Sequence, residues 1–196
     1  MKKCFLYIMF LFWIIDIQSH AVVLSIDPLS QSVQLGSQVS FNLNIAGLGN
    51  GTALGTYDIN IGFNHGMLDF PSISFGNQLD LYTLGDVQIV TPSNGTVEVY
   101  EVSLESVSDL NSLQSSSFTL ATLTFQTLTL GMNSPITLSV NALGDASGYP
   151  ILASLQNGSV SIIPVPEPEL WNLMLLGGGL VGYQVKRKKA KMLSAG

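Results

Sequence analysis

The chain has 196 residues, with only 7 Lys and Arg against 13 Asp and Glu and a single cysteine. All seven cations lie at the two ends, in Lys2, Lys3 and the run from Lys186 to Lys191, so no Lys or Arg stands between Cys4 and Val185. That distribution excludes nucleic-acid binding, which needs Lys or Arg to neutralise phosphates, and it excludes Arg clamps on anionic substrates.

Lys2 and Lys3 precede an apolar run from Cys4 to Ile15, and Ser19-His20-Ala21 places small residues at the −3 and −1 positions. This pattern predicts a secretory signal peptide over residues 1–21, handled by the Sec translocon and cut between Ala21 and Val22. Cys4 leaves with that peptide, so the exported body holds neither a disulfide nor a thiolate metal site. Residues 22–163 form one expected domain, and about 140 residues suffice for a packed core. It carries Asp27, Asp58, Asp69, Asp80, Asp86, Glu98, Glu101, Glu105, Asp109 and Asp145, with no base to pair them internally.

The body reads as strands. Val22, Leu24 and Ile26 open it, ending at Asp27-Pro28. Val39, Phe41, Leu43 and Ile45 alternate with Ser40, Asn42 and Asn44, and Tyr57, Ile59, Ile61 and Phe63 alternate with Asp58, Asn60 and Asn64. Ile136, Leu138 and Val140 repeat the period of two, and Val160 with Ile162 closes the series. Asn50-Gly51, His65-Gly66, Asn94-Gly95, Gly131-Met132-Asn133 and Gly144-Asp145 mark turns. The same Asn-Gly chemistry accounts for the N-x-S/T triplets at Asn50, Asn94 and Asn157. Only Ser108 to Gln114 reads as a helical turn. Phe118 and Leu120 share one parity and Leu123 and Phe125 the other, which predicts either a β-bulge or a strand covered on both faces. Short strands and Gly-rich turns predict an all-β, antiparallel two-sheet jelly-roll sandwich.

Three stretches carry a resemblance. Gly55 to Phe70 (GTYDINIGFNHGMLDF), Phe118 to Phe125 (FTLATLTF) and Asn157 to Ile162 (NGSVSI) look like the cohesin family in order and spacing. Cohesins are sandwich modules, related in fold to carbohydrate-binding modules, that hold dockerins. The resemblance implies a binding scaffold without catalysis. It places the family's dockerin-facing pair on Thr56 and Asp58; Asp58 fits, and Thr56 departs by offering a hydroxyl for an amide.

Other chemistry has less to work with. His65 is the one histidine of the body, at a turn, and there is no GxSxG elbow for a nucleophilic triad. Paired acids could serve glycoside hydrolysis, but Glu98 and Glu101 differ in parity and should face opposite sides. Asp80, Asp86 and Asp145 are oxygen donors that could meet around calcium, although their spacing matches no EF-hand loop. No other cofactor is expected.

The last stretch, residues 164–191, has three parts. Val165-Pro166-Glu167-Pro168 is followed by an apolar run from Leu170 to Val185 and a basic cluster of Lys186, Arg187, Lys188 and Lys189. As a helix the apolar run would rise about 24 Å, slightly short of the ~30 Å hydrocarbon core, with the cations kept on the cytoplasmic side. Together the parts resemble the PEP-CTERM sorting signal. That resemblance implies a Gram-negative host, passage through the inner membrane on a transmembrane helix over 170–185, and recognition by an exosortase that cuts near the PEP box. The expected product is a non-enzymatic binding or structural protein of the cell surface or biofilm matrix. A polysaccharide-binding module, assisted by calcium or not, is the alternative, and a hydrolase the third.

Overall fold

The computed structural model describes residues 21–49 and 51–165. Residues 1–20 of the signal peptide, Pro166 to Pro168 of the sorting box, the apolar run and the basic cluster lie outside these residues. Among the described residues no helix is long and apolar enough to cross a membrane.

Eleven strands and one short helix follow in order: β1 (Val22–Asp27), β2 (Ser30–Gln34), β3 (Gln38–Ala46), β4 (Leu54–Gly62), β5 (Leu68–Phe75), β6 (Asp86–Ser93), β7 (Thr96–Ser103), α1 (Val107–Leu113), β8 (Ser117–Thr127), β9 (Gly131–Asp145), β10 (Ala153–Gln156) and β11 (Gly158–Ile163). One sheet runs β10-β1-β3-β8-β5 and the other β2-β11-β9-β4-β7-β6. The expected two-sheet sandwich forms, and the pairing is antiparallel except at two places. β1 lies parallel to β10, and β2 parallel to β11. Both exceptions arise where the chain passes between sheets through a short link, at Pro28-Leu29 and at Asn157.

Alternation explains the layers. In β3, Val39, Phe41, Leu43 and Ile45 are buried between exposed or half-buried Ser40, Asn42 and Asn44. A strand's side chains point to opposite faces in turn, so one face of each sheet meets the other sheet and the second meets water. The inner faces join in a single core around Phe125, whose ring packs 5.1 Å from Phe63, 5.7 Å from Phe70 and 6.3 Å from Phe41. The parity break in β8 is a bulge: Leu43 pairs with Ala121 but Asn44 with Thr119, so Leu120 is the extra residue. Leu120 and Ala121 are consequently buried in succession. Leu128 and Leu130, which share the first parity, fall beyond the strand in a turn and are about half exposed.

The Asn94-Gly95 link between β6 and β7 is a tight hairpin with Gly95 at φ 79, a conformation that favours glycine. The short helix α1 starts a residue earlier than the pattern suggests. Ser106 caps it, its Oγ accepting from the Asp109 N–H at 3.1 Å and donating to Asp109 Oδ2 at 2.8 Å. Removing this cap with Ser106→Ala should cost about 1 kcal/mol. A urea melt of the variant that overlays the wild-type curve would show that the helix does not need its cap.

Candidate partner-binding face

β4, β7, β6 and β9 present one continuous outer face. Along β4 the inward residues Tyr57, Ile59 and Ile61 are fully buried, leaving Thr56, Asp58 and Asn60 outward. Register then fixes what stands beside them. Thr56 pairs with Val102, and Val102 with Val87; Asp58 pairs with Tyr100, and Tyr100 with Ile89; Asn60 pairs with Glu98, and Glu98 with Thr91. Three rows therefore cross the face, each running from a polar residue on β4 toward the edge strand β6. Directly opposed residues sit on the same side of a sheet, so the rows are side-chain rows.

A second bulge adds a polar group. β9 pairs Ala142 with Asp58 but Val140 with Ile59, so Asn141 is the extra residue, and it is exposed on this face. Its amide donates to Asp58 Oδ1 at 3.0 Å and approaches Glu98 Oε1 at 3.5 Å, while its oxygen accepts from Asn60 Nδ2 at 3.0 Å. One amide thus tethers two carboxylates that have no cation nearby. Next to them Val87 and Ile89 are 41% and 50% exposed, enough apolar surface to matter to a partner. The face is half hydrogen-bonding and half apolar, the composition expected of a protein-binding patch.

Thr56 and Asp58 are both on this face, two residues apart. The Thr56 hydroxyl is turned to the backbone, donating to the Glu101 carbonyl at 3.0 Å. Asp58 is held by Asn141 through Oδ1. Alternation places Asn60 on the outer side of β4, but pattern reading overlooks Asn141 and Ile89. Parity would have placed Tyr100 beside Glu98, but no sequence signal marks the bulge that turns Asn141 outward.

The remaining acids separate. Glu98 points out, whereas Glu101, three residues along β7, is 1% exposed and points in. Gln88 Nε2 bridges it to Asp86, at 3.3 Å from Glu101 Oε1 and 2.9 Å from Asp86 Oδ2. Burial, then the hydrogen bond with Asp86, pushes the Glu101 carboxyl up to about 8. Burial likewise raises the neighbouring Tyr57 phenol, with the charge of Glu101 adding to it. Asp80, Asp86 and Asp145 do not converge as a calcium site would require. Among the described residues no three His, Cys, Asp or Glu stand close enough to hold a metal ion. Asp80 instead accepts from the Gly85 N–H at 3.1 Å, and Asp145 from Ser147 and Tyr149 N–H at 2.8 and 2.9 Å, each closing its own loop. His65 is exposed in the turn after β4.

A family model for the PEP-CTERM protein-sorting motif matches residues 164–188. Curated protein sequences give no match. Among solved structures, the body is similar to a type I cohesin in a cohesin–dockerin complex from Clostridium thermocellum, with 14% identity, TM-score 0.60, and 73% of this chain and 99% of that one covered. The sixth cohesin of scaffoldin B from Acetivibrio cellulolyticus, in complex with a dockerin, matches at 20% identity and TM-score 0.58 over 73% and 99%. A non-cellulosomal cohesin from the archaeon Archaeoglobus fulgidus matches at 15% identity and TM-score 0.58 over 75% and 94%. At such identities the likeness concerns the fold. The chain is a cohesin-like β-sandwich followed by a PEP-CTERM sorting signal.

Proposed function

We propose that this chain is an exported, non-catalytic binding module, sorted through its C-terminal signal by an exosortase and displayed at the cell surface or in the surrounding matrix. The domain limits of 22–163 and the segment 164–191 follow the same division between holding and trafficking. The observation that carries the binding role is the outer face of β9-β4-β7-β6, where an Asn141-centred amide and carboxylate network abuts the apolar row of Ile89 and Val87. Cohesins of this fold stand in complex with dockerins, and a dockerin-like protein is the partner class this reading favours. The face bears acids and no base, so the partner should bring Lys or Arg to Asp58 and Glu98.

The test is capture of an envelope protein by the full chain and by two variants. Asp58→Ala and Tyr100→Ala should each weaken the captured complex about tenfold, with higher salt weakening the wild type as well. Capture indifferent to both substitutions would rule the face out. A polysaccharide ligand is the second reading, favoured by Tyr100 lying between Asp58 and Ile89, where a sugar ring could stack while acids and amides bind its hydroxyls. A glycan array that stays blank with and without calcium would remove it.

A further inference from the structure

Backbone links gather five segments at the end of the sandwich from which the chain leaves. The Leu35 N–H donates to the Ile163 carbonyl at 2.9 Å, that of Thr127 to Ser37 at 3.1 Å, and that of Leu128 to Met67 at 2.8 Å. Gly131 pairs with Ile162, and the Phe63 N–H donates to the Gly95 carbonyl at 2.8 Å. This exit end therefore comprises residues 34–37, 63–69, 94–96, 127–133 and 163–165.

Its exposed side chains include Leu128, Leu130, Met132, Ile163 and Val165, at 50%, 47%, 72%, 37% and 56% exposure. Apolar exposure alone does not distinguish it, because Leu84, Leu104 and Leu152 are as exposed at the opposite end. Charge does. Asp80, Asp86, Glu105, Asp109 and Asp145 all lie at the opposite end, whereas Asp69 is the one acid within the exit segments. His65 is there as well.

The tether supplies the partner. From Val165 to the start of the apolar run at Leu170 is five residues, which reach at most about 17 Å. The nine residues of β4 span roughly 30 Å, so the acidic end lies too far away to face the same surface. We infer that the exit end, with Leu128, Leu130 and Met132 at its tip, rests on the outer leaflet of the bilayer that receives the apolar run. This rests on the proposed membrane insertion of 170–185. Side chains of this kind enter the headgroup boundary by burying apolar area, and among the described exit segments Asp69 is the one carboxylate to oppose anionic lipid, with Glu167 and Glu169 following in the tether. The contact keeps Val165, the last described residue, close to the membrane surface.

The experiment uses residues 22–196, which contain no cysteine, with a single labelled cysteine introduced, reconstituted in phosphatidylethanolamine–phosphatidylglycerol vesicles containing nitroxide lipid. A fluorophore on Leu130→Cys should be quenched at least about threefold more than one on Ser112→Cys in α1 at the opposite end, and Leu128→Ser with Met132→Ser should reduce that difference. Equal quenching at both positions in chains that float with the vesicles overturns the docking and leaves the tail's insertion standing. Chains that fail to float overturn both.

Discussion

Replacing Phe125 with alanine should lower the unfolding free energy by about 4 kcal/mol, the usual cost of removing a large core aromatic that its surroundings cannot refill. The ring is fully buried and touches three others, Phe41 from the same sheet and Phe63 and Phe70 from loop and edge segments. Aromatic pairs at these separations add to what area alone supplies, so the cavity would forfeit three edge or tilted contacts together. β8 is also a central strand, paired with β3 on one side and β5 on the other, which leaves little freedom to close the gap. At about 3 °C per kcal/mol for a domain of this size, the midpoint of a thermal melt should drop roughly 12 °C. Leu128→Ala, half exposed in the turn after the same strand, should stay within about 0.5 kcal/mol. A Phe125→Ala melt within 2 °C of the wild type would mean that the core is centred elsewhere.

Phe125 also shows how far the sequence could be read. The parity change between Leu120 and Leu123 carried real information, because an inserted residue is the simplest way for one strand to bury two successive phases. Long alternating runs such as Val39 to Ile45 were equally legible, since water on one side and core on the other impose a period of two. Strands β2 and β6 were not, because they are edges with both faces largely exposed and no apolar rhythm to betray them. The two parallel pairs were hidden for another reason: they join segments more than a hundred residues apart, and no local pattern encodes a distant neighbour's direction. The candidate face was legible by half. Asp58 could be placed outward from its own strand, but its row-mates Tyr100 and Ile89 depend on register, and Asn141 on a bulge in β9.

Stability should fall as pH rises from about 4.5 to about 8, and Glu101 is the reason. Its ordinary value is 4.5, and burial with the Asp86 hydrogen bond raises it to about 8 in the folded chain. Between those values the folded state holds a proton that the unfolded state has released. The derivative of unfolding free energy with pH is then negative, and the loss is complete once pH passes the folded value. No Lys or Arg exists between Cys4 and Val185 to neutralise the ionised form, so the groups that meet it are Tyr57, Asp86 and Gln88. At about 1.4 kcal/mol per pH unit the full gap would cost about 5 kcal/mol, and water reaching the exposed Gln88 edge reduces this to on the order of 3 kcal/mol. Glu101→Gln keeps an acceptor for Gln88 and offers a donor to Asp86, while removing the ionisation. The variant should therefore melt about 9 °C above the wild type at pH 9 and close to it at pH 5. Because Glu101 lies between Tyr100 and Val102 on β7 and its carbonyl anchors the Thr56 hydroxyl, the same ionisation should loosen the outer face and weaken partner capture in step with stability. Parallel melting profiles for the two proteins from pH 5 to pH 9 would show that the buried carboxyl never takes up the proton on which this coupling depends.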